Sequence, residues 1–161
     1  MTDRLAALRT LAFYGDNEIR EPALEAFYKE WKHEALVVNQ WFQVQAAIPD
    51  ERSLDRVRGL LRHPDFDIRN PNKVRALVGI FANQNPVNFH RLDGQGYRFL
   101  GDIIAELNDI NPQIAARLLT PLTKWRSYRG RAELMKSELQ RIAAIPSLSP
   151  DVYEVVSKSL Q

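Results

Sequence analysis

The chain has 161 residues, 45% of them apolar and 26% charged, which is enough for one globular domain with its own core and typical of a soluble protein. No apolar run approaches the roughly 18 residues that a membrane span requires. The absence of cysteine excludes disulfides, thiolate metal sites and a cysteine nucleophile, so we expect a cytoplasmic protein without a membrane partner.

The first half of the chain has the pattern of four helices. Apolar residues recur with helical spacing, and no sustained alternation of β-branched residues indicates a strand. The predicted helices cover about 2–14, 17–31, 34–47 and 51–62.

The second half shows clearer helical periodicity and repeated start signals. Three sets of apolar residues form predicted buried stripes: Val74, Leu77, Val78 and Phe81; Leu100, Ile103, Ile104 and Leu107; and Met135, Leu139, Ile142 and Ala143. A capping side chain stands before a proline at four predicted helix starts: Asn70-Pro71, Asn85-Pro86, Asn111-Pro112 and Ser149-Pro150. Pro121 should kink or split the helix that follows Asn111.

These patterns predict an all-α protein of about eight to nine short antiparallel helices with short connections. We expect the helices to stack as pairs in a solenoid-like, armadillo- or HEAT-like superhelix. Because no linker or low-complexity stretch interrupts the sequence, one domain is expected over residues 1–161.

Several short patterns resemble catalytic or binding motifs but lack a required part. "HEALVV" at 33–38 has Val37 where the second zinc-binding histidine of HExxH should be. "DGQGYRFLG" at 93–101 lacks the spacing of a phosphate-binding loop and is better explained as a turn into a helix. We therefore expect no metal site and no self-sufficient active site in this chain.

The stretch "KWRSYRGR", from Lys124 to Arg131, interleaves four basic residues with two aromatic ones. Such a surface can stack bases and bind phosphates. Because the net charge of the whole chain is only +2, a solvated loop anchored by Trp125 is the preferred interpretation, and we expect no nucleic-acid partner.

Two predicted helices carry cations near their positive ends. Lys73 and Arg75 follow Asn70-Pro71, where like charge costs about a few tenths of a kcal/mol. Gln113 and Arg117 are spaced i, i+4 after Asn111-Pro112 and should share a face. Either the arginines pair with carboxylates elsewhere, or they face an anionic or carbonyl-bearing ligand, whereas Lys73 is expected to be solvated.

The stretch 58–122, which includes "NPNKVRALVGIF" and "NPQIAARLLTPL", closely resembles the C-terminal helical domain of bacterial aminopeptidase N. The likeness extends through "LVVNQWF" at 36–42 and "SPDVYEVVSKSL" at 149–160, and so over essentially the whole chain. Members of this zinc metallopeptidase family remove N-terminal amino acids from peptides.

The resemblance implies a role without chemistry of its own. The family's HExxH, its zinc-binding Glu, its Gly-Ala-Met-Glu-Asn motif and its oxyanion-stabilising Tyr lie in an upstream catalytic domain that is absent here. The chain is therefore expected to be an inactive C-terminal fragment without a cofactor. The single zinc ion belongs to the parent enzyme's catalytic domain, which is the expected partner within the same polypeptide.

The resemblance also implies where the fragment meets the peptide substrate. The domain would close over the catalytic domain and restrict access to an enclosed cavity. Matching positions assign Arg75, Gln113 and Arg117 to the substrate channel. The alternative is a stand-alone helical-repeat module that binds protein or nucleic acid.

Overall fold

The computed structural model describes residues 1–161, and every regular element in it is a helix. The α-helices are α1 (Thr2–Tyr14), α2 (Asn17–Trp31), α3 (Ala35–Ala46), α4 (Ser53–Leu60), α5 (Pro71–Val74), α6 (Ile80–Gln84), α7 (Pro86–Phe89), α8 (Gln95–Asn108), α9 (Pro112–Leu118), α10 (Thr120–Thr123), α11 (Ala132–Ala143) and α12 (Pro150–Leu160). A π-helical turn, Arg75–Gly79, joins α5 to α6, and a 3₁₀ turn, Trp125–Ser127, follows α10. The all-α prediction is confirmed.

The chain has more helical segments than the eight to nine expected. The predicted helix after Asn111 is split into α9 and α10 at Leu119, because Pro121 cannot continue the hydrogen-bonding pattern. The helix after Asn70 contains the π turn, and the helix start predicted at Asn85-Pro86 gives only the short α7. No helix has the length and apolar character needed to cross a membrane.

The helices form two compact units, Met1–Asn88 and Phe89–Gln161. The single domain expected over residues 1–161 stays a prediction.

In the unit Met1–Asn88, α3 is the central helix. It packs against α1, α2 and α4, and against the helical run from α5 through the π turn to α6. Its side chains are apolar on more than one face, since Trp41, Phe42 and Val44 are all buried. The predicted stripe of Val74, Leu77, Val78 and Phe81 is also fully buried, as its spacing required.

In the unit Phe89–Gln161, α8 packs against α9 and α11, and α12 packs against α9 and α11. The predicted stripe of α8 is buried, and so are Met135, Leu139 and Ile142 of α11. The prediction that Ala143 belongs to that stripe is wrong, because this last residue of α11 is exposed.

Gly101 allows α8 to approach α11 closely. A Cβ atom at this position would overlap the carboxylate of Glu138, a buried side chain that pairs with Arg141. Arg141 also pairs with Asp102, 2.9 Å away. The missing side chain at position 101 thus makes room for a polar network between the two helices.

Three of the four predicted caps are present. The side chains of Asn70, Asn111 and Ser149 each accept a hydrogen bond from a backbone N–H of the helix that follows. Asn85 differs, since it is buried and its side-chain nitrogen donates to the carbonyls of Ala46 and Ile48, both at 2.9 Å. Asn85-Pro86 therefore marks a tertiary contact as well as a helix start.

Candidate functional site

Arg75 lies at the start of the π turn and projects an exposed guanidinium from a buried backbone segment. The neighbouring Ala76, Leu77 and Val78 are all buried, which fixes the main chain beneath it. The Arg75 Nη1 donates to Oδ1 of Asn72 at 2.9 Å, and no carboxylate of the chain pairs with Arg75. π-helical turns are rare and are frequent at functional sites.

Lys73, two residues earlier, has a different environment. Its ammonium group donates to the backbone carbonyl of Asp65 and lies 5.9 Å from the centre of the Phe42 ring. The side chain is half-buried, so the prediction of a solvated Lys73 is wrong. A hydrogen bond and a cation–π contact offset the unfavourable helix-end position.

Gln113 and Arg117 lie on α9, in the unit Phe89–Gln161. Ile114, Ala115 and Leu118 bury the opposite side of this helix, so that both predicted channel residues are exposed, as their spacing required. Neither side chain makes a hydrogen bond or ion pair within the chain. The sequence left open that Arg75 and Arg117 pair with carboxylates elsewhere in the chain, and neither of them does.

The three predicted site residues are therefore distributed over two units. Gln113 and Arg117 are one helical turn apart on α9, whereas Arg75 belongs to the unit Met1–Asn88. The contact of Asn72 with Arg75 was not predicted, although their i, i+3 spacing on a helix is the signal that could have found it.

Two of the three histidines, His63 and His90, lie in aromatic clusters and not in a metal-binding arrangement, whereas His33 is exposed. His63 contacts the rings of Tyr28, Trp41 and Phe42, and its Nδ1 accepts a hydrogen bond from the Asp65 backbone at 3.0 Å. Burial lowers the pKa of His63, and nearby Lys73 lowers it further, whereas the Asp65 carboxylate raises it. No group of three or more His, Asp or Glu side chains is placed to hold a metal ion.

His90 forms the corresponding cluster in the other unit. Its ring stacks on Tyr128 with centroids 4.2 Å apart, and its Nδ1 is 2.6 Å from the Tyr97 hydroxyl. Burial, with a smaller contribution from Arg131, lowers the pKa of His90. Burial also raises the pKa of Tyr97 to about 12, so both rings are neutral at pH 7.

The basic stretch Lys124–Arg131 is held by structural contacts. The Trp125 indole is buried and donates to the Ser159 carbonyl at 3.1 Å, and Arg126 donates to the same carbonyl at 3.0 Å. Arg131 donates to the carbonyl of His90 at 2.6 Å. The prediction that Trp125 anchors this loop is confirmed.

Comparison with known proteins decides the family. The DUF3458_C family, described as a domain of unknown function with ARM repeats, matches residues 1–161. This chain belongs to that family. The ARM-repeat description agrees with the predicted solenoid of paired helices.

Named relatives align with this DUF3458_C chain over essentially its whole length. Aminopeptidase N of Caulobacter vibrioides is 46% identical over 161 residues, which are 99% of this chain and 18% of that protein. Aminopeptidase N of Haemophilus influenzae is 43% identical over 100% of this chain and 18% of its own length. The resemblance to the C-terminal domain of aminopeptidase N is thereby confirmed.

A solved structure matches in three dimensions as well. The crystal structure of Legionella pneumophila aminopeptidase A in complex with aspartic acid superposes with a TM-score of 0.94 at 40% identity. The match covers 99% of this chain and 19% of that one. This DUF3458_C chain thus spans less than a fifth of the length of the relatives it matches.

Proposed function

We propose that this chain is the non-catalytic C-terminal domain of a cytoplasmic zinc aminopeptidase that removes N-terminal amino acids from peptides. The zinc ion and the groups that break the peptide bond would belong to the upstream catalytic domain, so the isolated chain would be inactive. The match of the whole chain to the C-terminal domain of named aminopeptidases supports this proposal.

We infer that the domain closes over the catalytic domain, restricts access to it and lines the peptide channel with Arg75, Gln113 and Arg117. The observation that carries this role is that all three side chains are exposed while neither arginine has a carboxylate partner in the chain. Uncompensated guanidinium groups attract a peptide's C-terminal carboxylate, and a carboxamide can hydrogen-bond its backbone. These contacts would orient the substrate and would not break bonds.

An apolar groove in the unit Met1–Asn88 supports packing against the rest of the polypeptide. Leu8, Leu11 and Phe27 line this groove of about 230 Å³ between α1 and α2. Exposed apolar grooves can mark interaction sites, and the upstream part of the same polypeptide is the proposed occupant.

The alternative of a nucleic-acid-binding module has less support. The Trp125 ring is buried and not free to stack on a base, and Arg126 and Arg131 each donate to a backbone carbonyl of the chain. The contacts of this stretch therefore give the nucleic-acid alternative little support.

Replacing Arg117 tests the channel role in the full-length enzyme. We expect Arg117→Ala to raise KM about tenfold for tripeptides with a free C-terminal carboxylate, because a charge-assisted hydrogen bond is lost. KM for aminoacyl-arylamides, which lack that carboxylate, should rise much less. Arg129→Ala removes the same charge from an exposed position in the same unit and serves as the control. Equal effects of Arg117→Ala on both substrate types would contradict the role.

A further inference from the structure

Arg75 is anchored by a neutral side chain one helical turn before it. Its Nη1 donates to the Asn72 carboxamide oxygen at 2.9 Å. The Asn72 side chain is available for this contact because Asn70 caps the helix, accepting from the backbone N–H groups of Asn72 and Lys73. Asn70 and Asn72, on either side of Pro71, thus have separate roles.

Five other arginines of the same unit, Arg52 and Arg58 among them, pair with carboxylates, whereas Arg9, Arg62 and Arg69 do not. Arg4 pairs with Glu30, Arg20 with Asp50, and Arg56 with Glu21. A carboxylate partner offsets the positive charge of a guanidinium, whereas a carboxamide oxygen accepts the hydrogen bond and leaves the full charge in place. Arg75 is therefore held without being neutralised.

The anchor uses only one of the donors that Arg75 offers. A guanidinium has five N–H donors in a planar fork, and the contact with Asn72 engages Nη1. The remaining donors are free for a second, bidentate acceptor such as a carboxylate. The backbone beneath is fixed by the buried π turn, so side-chain rotation is the main freedom that Asn72 removes.

We propose that Asn72 is a positioning residue that pre-orients Arg75 and preserves its charge for a carboxylate-bearing peptide. This inference rests on the proposed channel role of Arg75. A neutral anchor lowers the entropy lost when a flexible arginine binds a ligand, and it does so without competing for the charge.

The experiment compares three variants of the full-length enzyme, Asn72→Asp, Asn72→Ala and Arg75→Ala. The substrates are a tripeptide with a free C-terminal carboxylate and the same tripeptide with a C-terminal amide. Asn72→Asp keeps an acceptor in place but adds a negative charge, so KM for the free acid should rise about tenfold and KM for the amide less than threefold. Asn72→Ala keeps the charge but loses the anchor, so the free-acid KM should rise only about threefold.

Gln84→Glu is the matched control, since Gln84 is exposed on α6 in the same helical run and the change adds the same charge. It should not alter the ratio of the two KM values. If Asn72→Asp changes both substrates equally, or neither, the positioning role is overturned.

Arg75→Ala distinguishes a failure of the role of Asn72 from a failure of the channel role of Arg75. If Arg75→Ala raises KM for the free acid while the Asn72 variants do not, only the role of Asn72 fails. If Arg75→Ala also leaves both KM values unchanged, the channel role of Arg75 fails with it. In the double variant Asn72→Asp with Arg75→Ala, the added aspartate should have no further effect on the free-acid KM.

Discussion

The two compact units present their candidate side chains on helices that begin alike but are held differently. In the unit Met1–Asn88, the helical run that carries Arg75 packs a buried apolar stripe on α3, and the buried Asn85 at its end adds directional bonds to two carbonyls. In the unit Phe89–Gln161, α9 is held by apolar packing against α8 and α12. The guanidinium of Arg75 is anchored, whereas that of Arg117 is free within the chain. The same Asn-Pro start thus precedes one arginine whose side chain is hydrogen-bonded within the chain and one whose side chain is not.

Removing the hydrogen-bond donor of Asn85 should destabilise the unit Met1–Asn88 more than any other change considered. Asn85→Ala leaves the Ala46 and Ile48 carbonyls without this partner in a buried site, and we expect a loss of about 2–4 kcal/mol in the free energy of unfolding. Urea unfolding of the chain measures the loss. Asn83→Ala, at an exposed position of α6, should cost less than about 1 kcal/mol. Similar costs for the two variants would show that the buried bonds are not what holds this run.

Adding one methyl group should disturb the second unit through its helix packing. Gly101→Ala forces the Glu138 carboxylate and Arg141 to shift, and we expect a destabilisation of about 1–3 kcal/mol. Gly59→Ala is the control, because no atom lies within 4 Å of its added Cβ. There the lower entropy of the unfolded chain should stabilise the protein by about 0.4–1 kcal/mol. Opposite signs in thermal unfolding are the expected outcome, and equal signs would contradict the close-approach argument.

The caps of the two arginine-bearing helices should differ by less. Asn70 accepts from two backbone N–H groups, whereas Asn111 accepts from one at 3.3 Å. We expect Asn70→Ala to cost about 1–2 kcal/mol and Asn111→Ala about 0.5–1 kcal/mol. Amide hydrogen exchange within α5 and α9 reports each loss locally. A larger loss for Asn111→Ala would contradict the expectation that the Asn70 cap is the more stabilising of the two.

Local patterns predicted much of this fold. The predicted helices 2–14 and 17–31 match α1 and α2, because helical periodicity and caps are set by near neighbours in the sequence. The π turn at Arg75–Gly79 and the bridge from Asn85 were not predicted. Both depend on packing against α3, which lies more than twenty residues away along the chain.

The candidate site was predictable only in part. Helical spacing placed Gln113 and Arg117 on one exposed face, and a misplaced cation drew attention to Arg75. The resemblance, and not the spacing, assigned them to a substrate channel. The expectation of a solvated Lys73 was wrong, because a carbonyl and a ring supplied by tertiary structure hold its ammonium group.

Acidification should give the smallest effect, since the two histidines concerned are only half-buried. Burial lowers the pKa of both His63 and His90 in the folded chain. In the unfolded chain the histidines keep their ordinary pKa of about 6.5, so the unfolded state takes up more protons than the folded state as the pH falls. The free energy of unfolding should therefore decrease as the pH drops from 7.5 to 5.5.

His63 and His90 then distinguish the two units once more. Asp65 opposes the lowering of the pKa at His63, whereas Arg131 adds to the lowering at His90. We expect NMR titration to give both rings midpoints below 6.5, with His90 the lower because no carboxylate opposes its shift. A His90 midpoint above that of His63 would contradict the assignment of burial as the main cause of the shift at His90.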